Sequence, residues 1–369
     1  MKHNSSESAL HTLLDGHREE IDNIDSQIIS LLSKRQEQAY AVGQIKREKG
    51  IDIIDPAREE VVLRSLTSRS GKNLTKEAIR HIFGEIISAA RAVQEPLAVA
   101  FLGPEATFSH NAALSLFGHS ASFRAAESIE EVFGLVEKGM CEQGVVPIEN
   151  SYEGSVNSTL DLFYHYNLKI CSELFLRVRH HLLSKSAHIG KIKRLYSHPM
   201  AIAQCRAWIR SNLPEVTVKE VASTSFAARM AIDDPEAAAI GGRLSSLAYD
   251  LNILEENIED HPDNVTRFLA VGKTEMQPTG KDKTSILFFL SHRPGALFKA
   301  LESLAKRNIN MSRIESRPMR TRNWEYVFFT DLDGHEKDSN IHDAIVEMEG
   351  CCAFLKRLGS YPAGSEPWS

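Results

Sequence analysis

The feature that most constrains the fold is a helical repeat of unusual length at the start of the chain. Across Ser8–Lys49, apolar residues recur every three or four positions until Gly50 interrupts the pattern. Such a helix spans about 60 Å at 1.5 Å per residue. Shorter helices are predicted from Asp55, with Pro56 in its first turn, and from Thr75. Because three helices of such unequal length cannot enclose their own core, the pattern predicts an intertwined dimer.

A different pattern begins after residue 96. Between residues 97 and 273, short apolar segments such as LAVAFLG, QGVVPI and EAAAIGG alternate with helical segments. Alternation of this kind predicts parallel α/β layers. The number of strands and a restart near residue 188 predict two lobes that face a cleft. A polar linker containing Pro278 and Gly280 ends this part.

The last part, residues 283–360, predicts a small α+β unit of the βαββαβ type. The sequence therefore predicts a multidomain protein. Its parts are an all-α domain over residues 1–95, a two-lobed α/β domain over 97–273 and an α+β domain over 283–360. A chain of 369 residues is long enough for two or three domains at roughly 150 residues each.

Composition excludes several classes of protein. The formal net charge of -6 argues against a general nucleic-acid binder, but it leaves room for local basic pockets. No apolar run is long enough for a membrane and the start lacks the features of a secretory signal, so we expect a cytoplasmic protein. The 5 cysteines are scattered, and the 15 histidines form no cluster with cysteine or carboxylate at ligand spacing. We therefore expect no metal and no organic cofactor.

Cations lie beside the apolar stripe of the long helix, where an amphipathic helix ordinarily carries none. Arg35 and Lys46 differ by roughly 20° around the axis and lie about 16 Å apart, so one small dianion can reach both side chains. Arg18 lies about 26 Å from Arg35. If it serves the same ligand, it must come from the partner chain. The alternative interpretation is solvated cations and surface ion pairs.

The segments HREEIDNIDSQIISLLSKRQEQAYAVGQIK and DPARE, with a third helix ending in Gln94, resemble the all-helical chorismate mutase domain over about residues 10–95. The resemblance implies that Lys46 and Gln94 bind the ether oxygen of chorismate. It also implies that Arg35, Arg58 and the partner subunit's Arg18 hold the carboxylates. Asp55 and Glu59 complete the implied pocket. Ala90 stands where this family commonly has serine.

Polar segments follow several predicted strands in the α/β part, at the strand ends where ligands of open α/β sheets bind. These segments are GPEATFSHNAA, IENSYEGSV, YSHPM, VASTSFAA and DNVTRFLAVG. Together they resemble prephenate dehydratase, with Met200 where the family usually has glutamine. This likeness implies a two-lobed fold like that of periplasmic binding proteins, with Thr266 as the proton donor, assisted by Glu149. The implied substrate-binding residues are Thr107, Ser109, Asn150, Ser151, Ser197, Thr224 and Arg267. Helix caps and turns remain an alternative interpretation of several of these hydroxyl and amide groups.

The segment HRPGALFKALESLAKRNINMSRIESRPMR resembles the ACT domain, a ferredoxin-like module that senses amino acids. Its motifs imply that phenylalanine binds here and inhibits the enzyme. The bound phenylalanine is implied to bridge two such modules in the dimer. The motif residues are Gly295, Ala296, Leu297, Phe298, Glu315, Ser316, Arg317 and Pro318.

Taken together, the segments resemble the bifunctional chorismate mutase/prephenate dehydratase family of phenylalanine biosynthesis. The implied ligands are chorismate, prephenate and phenylalanine, bound by a homodimer without nucleic acid or membrane. Two alternatives remain open. One is a two-lobed binding protein without chemistry, and the other is an enzyme that keeps only one of the sites or that prefers arogenate at the second.

Overall fold

The computed structural model describes residues 3–364 except 52, 292 and 319–325. Within these residues, no helix combines the length and the apolar character needed to cross a membrane. The chain forms a helical part, a two-lobed α/β part and a smaller α+β part, in that order. The multidomain mixed fold predicted from sequence is confirmed.

The helical part consists of α1 (His3–Glu48), α2 (Pro56–Thr67) and α3 (Lys76–Gln94). Side chains that precede α2 and α3 fix where these helices begin. Asp55 accepts a hydrogen bond from the Arg58 backbone amide at 2.9 Å, and Thr75 accepts one from Ala78 at 3.2 Å. Such caps satisfy amide groups that have no partner within the helix.

Helix α1 leaves much of its apolar stripe in contact with solvent. Ile21 is 56% exposed, Ile29 66% and Leu31 65%. Only its C-terminal part packs against α3, as the 3.4 Å hydrogen bond from Arg35 Nη1 to the Ile86 carbonyl illustrates. Apolar faces of this extent are ordinarily covered by another element.

The first lobe is a sheet with the strand order β2-β1-β3-β11-β5, and a short strand, β4, pairs with β3. Its strands are β1 (Ala98–Leu102), β2 (Ser122–Ala126), β3 (Gln143–Asn150), β4 (Gly154–Ser155), β5 (Lys169–Arg177) and β11 (Val265–Gly272). Its helices are α4 (Phe108–Phe117), α5 (Ile129–Glu137) and α6 (Asn157–His165). Near-continuous apolar runs in β1 and β3 explain why both faces of these strands are buried.

The second lobe is a sheet with the order β10-β6-β9-β7-β8. Its strands are β6 (His181–Ser184), β7 (Arg194–Ser197), β8 (Thr217–Glu220), β9 (Ala237–Gly241) and β10 (Asn252–Glu255). Its helices are α7 (Pro199–Gln204), α8 (Arg206–Asn212), α9 (Thr224–Met230) and α10 (Arg243–Tyr249), with a 3-10 turn at Ile189–Lys191. Two lobes are therefore confirmed, although the second begins at β6, before the restart predicted near residue 188.

The prediction of parallel layers is wrong in part. Strands β1, β2 and β3 are parallel, but β11 runs antiparallel to both β3 and β5. In the second lobe, β6 is antiparallel to both β9 and β10. The cause in the first lobe is the path of the chain. It leaves the first lobe at Arg177, builds the second lobe and returns at Val265, the direct partner of Arg177, so β11 runs back along β5.

The third part has the predicted βαββαβ order. Its elements are β12 (Asp282–Phe289), α11 (Ala296–Ala305), β13 (Met311–Pro318), β14 (Tyr326–Asp333), α12 (Ser339–Cys351) and β15 (Phe354–Pro362). The antiparallel sheet has the order β13-β14-β12-β15. Its core is formed by buried residues of β12, α11 and α12, including Phe288, Leu304 and Ile345.

A buried charge cluster joins the third part to the first lobe. Arg267 on β11 is 5% exposed and lies within 2.6 Å of Glu173 on β5 and of Asp331 on β14. It also donates a hydrogen bond to the hydroxyl of Tyr361 on β15 at 3.0 Å. Lys283 on β12 contacts the same Glu173 at 2.9 Å. Since buried charges are stable only when they are paired, this cluster fixes the two sheets relative to each other.

Replacing Arg267 with methionine should therefore destabilise the protein strongly. The change leaves Asp331 with a buried carboxylate and no cation, a loss of about 3–5 kcal/mol by the usual magnitude for a broken buried pair. Urea unfolding followed by circular dichroism measures the effect. The matched control is Arg307→Met, which removes a partly exposed pair with Glu347 and should cost less than about 1 kcal/mol. Equal losses in the two variants would contradict the structural role of Arg267.

Candidate functional site

In the helical part, predicted site residues from all three helices converge where α1 meets α3. Lys46 donates a 2.9 Å hydrogen bond from Nζ to the Ile53 carbonyl, and Arg35 reaches the carbonyl of Ile86 on α3. Both side chains are half-buried. Gln94, at the end of α3, lies against α1 at Gly43. The structure thus places Arg35, Lys46 and Gln94 along one seam.

Gly43 was not singled out from the sequence, although it determines how closely α1 and α3 approach each other. A Cβ at this position would lie 2.7 Å from Gln94 Cγ and 3.0 Å from Gln94 Cβ. Real Cβ atoms do not approach so closely, so only glycine fits. The signal in the sequence is a glycine within a helical repeat, which costs about 1 kcal/mol relative to alanine and is kept where packing requires it.

Glu59 on α2 belongs to the same group. Burial raises the pKa of its carboxyl group, while the nearby cations of Arg91 and Lys46 oppose that rise and Asp55 adds to it. Arg91 Nε lies 3.4 Å from Glu59 Oε1, and Arg91 also donates a 2.8 Å hydrogen bond to the Phe117 carbonyl in the first lobe. Arg91, which sequence reasoning missed, thus connects the helical site to the dehydratase-like part.

The other predicted residues of this site are more loosely placed. Arg58 is exposed, and Asp55 caps α2. Arg18 pairs with Asp15 at 3.2 Å and is 67% exposed, far along α1 from Arg35. Ala90 is buried in α3. Within one chain, Arg18 therefore does not join the group.

In the two-lobed part, Asn150 and Thr266 meet at one end of the first sheet. They are direct partners in the pairing of β3 with β11, and Asn150 Nδ2 donates to Thr266 Oγ1 at 2.9 Å. The carboxamide oxygen of Asn150 accepts from the backbone amides of Tyr152 and Glu153 at 3.0 and 3.2 Å. Hydrogen bonds at both the nitrogen and the oxygen therefore fix the orientation of the Asn150 carboxamide.

A chain of hydrogen bonds continues from this pair into the second lobe. Asn150 Nδ2 also donates to Asn264 Oδ1 at 2.8 Å, and Asn264 Nδ2 donates to Gln204 Oε1 on α7 at 3.1 Å. The same Gln204 oxygen lies 2.8 Å from His180 Nε2. Burial lowers the pKa of His180, so its ring is neutral near pH 7. Sequence reasoning assigned no role to Asn264, Gln204 or His180.

Ser151 and the loop after β1 help to hold the site together. Ser151 Oγ accepts from the backbone amide of Val265 at 3.1 Å, beside Thr266. In the second lobe, Ser225 donates a hydrogen bond to the Glu105 carbonyl, and Ser245 donates one to the Ala106 carbonyl at 2.8 Å. These bonds close the two lobes on each other at the loop between β1 and α4.

Among the hydroxyl groups expected at helix starts, that of Thr107 serves the backbone. Thr107 caps α4, since its Oγ1 accepts from His110 N at 3.3 Å and donates to the Pro104 carbonyl at 2.9 Å. Ser109 is buried in the first turn of α4. Thr224 begins α9, but the capping oxygen is that of Ser223. The cap interpretation thus holds for Thr107.

The structure contradicts the substrate contacts expected of Ser197 and Arg267. Ser197 is fully buried, and its hydroxyl donates to the Ile240 carbonyl at 2.8 Å. Arg267 points into the charge cluster with Asp331, on the face of the sheet opposite Thr266. The physical reason is that successive side chains of a strand point to opposite faces, so the neighbour of an inward hydroxyl must point away.

The same rule corrects the role expected of Glu149. It is the direct partner of Arg267 in the pairing of β3 with β11, so its side chain shares the face of Arg267 and not that of Thr266. Its carboxylate forms an ion pair with Arg313 on β13, with 3.1 Å between Glu149 Oε2 and Arg313 Nε. This geometry contradicts direct assistance by Glu149 in proton transfer to or from Thr266.

In the third part, Gly295 precedes α11 with a φ of 77°, a left-handed conformation that favours glycine. Ala296 is buried, Leu297 is 36% exposed and Phe298 is 70% exposed. Along β13, burial alternates. Glu315 and Arg317 are half-buried toward the first lobe, whereas Ser316 and Pro318 are exposed.

A cavity of about 320 Å³ lies where the helical part meets the first lobe. Arg91, Cys141, Gln143 and Lys273 are among its lining residues. It contains none of the residues predicted to bind substrate, so the cavity volume alone does not mark the expected sites.

Family models match each part of the chain. Chorismate mutase type II matches residues 17–95, prephenate dehydratase matches residues 99–276 and the ACT domain matches residues 284–350. The chain is 46% identical over 349 residues to the bifunctional chorismate mutase/prephenate dehydratase of Aquifex aeolicus, covering 94% of this chain and 96% of that protein.

Two further similarities agree with this assignment. The bifunctional enzyme of Pseudomonas aeruginosa is 41% identical over 348 residues, covering 93% of this chain and 95% of that protein. The crystal structure of prephenate dehydratase from Arthrobacter aurescens in complex with L-Phe superposes with a TM-score of 0.67 at 35% identity, covering 72% of this chain and 90% of that one. The chain is therefore an enzyme with a chorismate mutase domain, a prephenate dehydratase domain and an ACT domain, and it belongs to the bifunctional chorismate mutase/prephenate dehydratase family.

Proposed function

We propose that the two catalytic domains act in sequence, with the mutase site at the seam of α1 and α3 and the dehydratase site at the meeting point of Asn150 and Thr266. The observation that carries the second assignment is the 2.9 Å hydrogen bond between these two side chains at the edge of the cleft. Chorismate becomes prephenate at the first site. At the second site, prephenate becomes phenylpyruvate, carbon dioxide and water.

The mutase reaction is pericyclic and needs no nucleophile. The protein must hold the substrate in its reactive diaxial conformation and present charge to the polarised ether oxygen. Lys46 and Gln94, from α1 and α3, are proposed to bind that oxygen. Arg35 and Arg58 are proposed to hold a carboxylate. Glu59, whose pKa is raised by burial, is proposed to hydrogen-bond the ring hydroxyl.

The mutase domain is proposed to function as a homodimer. The support is the exposed apolar stripe of α1, in which Ile21, Ile29 and Leu31 are each more than half exposed. A second copy of α1 laid along this stripe would bury it. The partner subunit's Arg18 would then complete the carboxylate site, a role that Arg18 cannot serve within its own chain.

In the dehydratase, aromatisation of the ring supplies the driving force as the ring hydroxyl and the ring carboxylate depart. The protein must stabilise the departing hydroxyl and hold the substrate so that the carboxylate can leave. Among the described hydrogen bonds, Thr266 Oγ1 accepts one from Asn150 and donates none. We propose that its proton serves the departing hydroxyl, while solvent restores that proton. Ser151, Thr107, Ser109 and Thr224, around the cleft, are proposed to orient the substrate.

The ACT domain is proposed to bind phenylalanine and to inhibit the dehydratase. Gly295 and the exposed Phe298 lie at the start of α11, where the left-handed glycine opens the backbone to a ligand. The Arthrobacter aurescens relative was crystallised with L-Phe.

We further propose a cytoplasmic location, which is supported by buried thiols such as Cys171, a residue whose pKa burial raises to about 12.

A coupled assay tests the two activities together. Purified protein given chorismate should form phenylpyruvate, and Thr266→Val should stop the pathway at prephenate, with the dehydratase kcat reduced about 10²–10⁴-fold. Thr266→Ser, which keeps a hydroxyl, is the matched control and should retain most activity. Full dehydratase activity in the valine variant would contradict the role of Thr266. Turnover of arogenate in preference to prephenate would identify a different second substrate.

Substituting Gly43 with alanine should damage the mutase alone. The added Cβ displaces Gln94 from the seam, which should lower the mutase kcat/KM about tenfold to a hundredfold. Dehydratase activity on added prephenate is the internal control and should stay unchanged. Gly84→Ala, in helix α3 and with open space around its Cβ, should leave the mutase unaffected. Equal mutase activity in both variants would exclude the seam as the site.

Gly295→Val should weaken feedback inhibition. Valine is disfavoured at a φ of 77° and projects side-chain bulk at the proposed phenylalanine site. The phenylalanine concentration for half inhibition of the dehydratase should rise by about tenfold or more. The mutase and uninhibited dehydratase activities should change little. Inhibition at the wild-type concentration would place the phenylalanine site elsewhere.

A further inference from the structure

Two ion pairs between domains lie directly behind the proposed catalytic pair of the dehydratase. Asn150 and Thr266 face the cleft, and their chain neighbours Glu149 and Arg267 point the other way, toward the ACT sheet. Glu149 contacts Arg313 at 3.1 Å, and Arg267 contacts Asp331 at 2.6 Å.

The four charged residues are matched in register on both sheets. Glu149 and Arg267 are direct partners across β3 and β11 in the dehydratase, while Arg313 and Asp331 are direct partners across β13 and β14 in the ACT domain. Charges of opposite sign therefore neighbour each other within each sheet and face each other between the sheets. A displacement of β13 along the interface would separate Arg313 from its carboxylate partner.

Arg313 contacts the dehydratase domain through its side chain, in addition to its pairing within the ACT sheet. Its side chain is 9% exposed, and Nη2 donates a hydrogen bond to Ser155 Oγ on β4 at 2.8 Å. Ser155 in turn donates to Glu315 Oε2 on β13 at 2.8 Å. The buried Nε and Nη1 of Arg313 have no hydrogen bond with any residue that the structure describes, so the 3.1 Å contact of Nε with Glu149 is an ion pair. The Glu149 carboxylate is therefore the charge that this buried cation faces.

Ser155 is the direct partner of Glu149 across β3 and β4, and Gly154 is the partner of Asn150. Arg313 and Glu315 thus hold both strands of the hairpin that carries Asn150 and Ser151. Arg317, further along β13, holds the following helix through Asp161 on α6 at 3.0 Å.

We infer that Arg313 of the ACT domain is a positioning residue for the dehydratase reaction. By binding Glu149 and Ser155 from behind the sheet, it fixes the hairpin so that the Asn150 carboxamide meets the Thr266 hydroxyl. This inference rests on the proposed catalytic function of Asn150 and Thr266 and on phenylalanine binding by the ACT domain. Residues Glu315 to Pro318 of the expected phenylalanine motif lie on the same strand as Arg313. Ligand binding there acts on the hairpin through this residue.

The test compares Arg313→Met, Arg313→Lys and the control Arg307→Met, in which the lost arginine pairs within the ACT domain with Glu347. Arg313→Met should lower the dehydratase kcat about tenfold to a hundredfold with KM changed less than about twofold. Lysine keeps the charge but not the fork that spans Glu149 and Ser155, so it should restore part of the loss. Arg307→Met should match wild type. Mutase activity in the same preparations reports whether each variant is folded.

The second measurement is a double-mutant cycle with Glu149→Gln. Because Arg313 acts in part through Glu149, Arg313→Met should lower kcat less in the Glu149→Gln background than in the wild-type background. In the single Arg313→Met variant, calorimetry should still detect phenylalanine binding while the remaining dehydratase activity responds to it less.

The outcomes separate the inference from the function on which it rests. Unchanged kcat and inhibition in Arg313→Met, additive losses in the cycle, or equal loss of mutase activity would overturn the inference alone. Full activity of Thr266→Val would contradict the proposed catalytic role of Thr266, on which the positioning role of Arg313 depends.

Discussion

The dehydratase depends on one strand, β11, that lies between β3 and β5 and is antiparallel to both. At its start, two consecutive residues serve different domains. Thr266 meets Asn150 at the cleft, and Arg267 enters the buried charge cluster with Glu173 and Asp331. The proposed catalytic residues and the contact with the ACT sheet therefore lie on opposite faces of the same short segment of β11. No linker or loop mediates between them at this point.

The helical domain presents the contrasting case of predicted site residues that one chain brings together only in part. The seam between α1 and α3 brings Arg35, Lys46 and Gln94 together because Gly43 allows close approach. Ile21 and Ile29, nearer the N-terminus of α1 than Arg35, are exposed and lie outside that seam. Arg91 then extends from Glu59 to the Phe117 carbonyl of the first lobe. A buried guanidinium group is thus one of the contacts that connect the packing of the mutase helices to the dehydratase, beside the hydrogen bond from Ser120 N to Ser88 Oγ.

Sequence patterns predicted the helices and strands well, because helix caps and apolar periodicity depend on residues close together in the chain. Asp55 and Thr75 mark helix starts as caps, and alternating apolar segments mark the strands of both lobes. The direction of β11 was not predictable, because the same residues suit a parallel or an antiparallel neighbour and only the path of the chain decides. The environments of Glu149 and Arg267 depended on how β11 pairs with β3, and that of Ser197 on its burial against β9 in the second lobe. The network of Asn150, Asn264, Gln204 and His180 joins residues from distant parts of the chain, so no spacing reveals it.

Successive side chains of β11 point to opposite faces of the sheet, so a shift of one residue in its pairing exchanges the two faces. A slip of one residue against β3 and β5 would turn the guanidinium of Arg267 into the cleft and the hydroxyl of Thr266 into the interface with the ACT sheet. Such a misaligned chain would leave Glu173 and Asp331 buried without their cation, so it would be selected against during folding, before any substrate is met. Correct assembly of the interface with the ACT sheet therefore requires the same strand alignment that places Thr266 in the proposed active site.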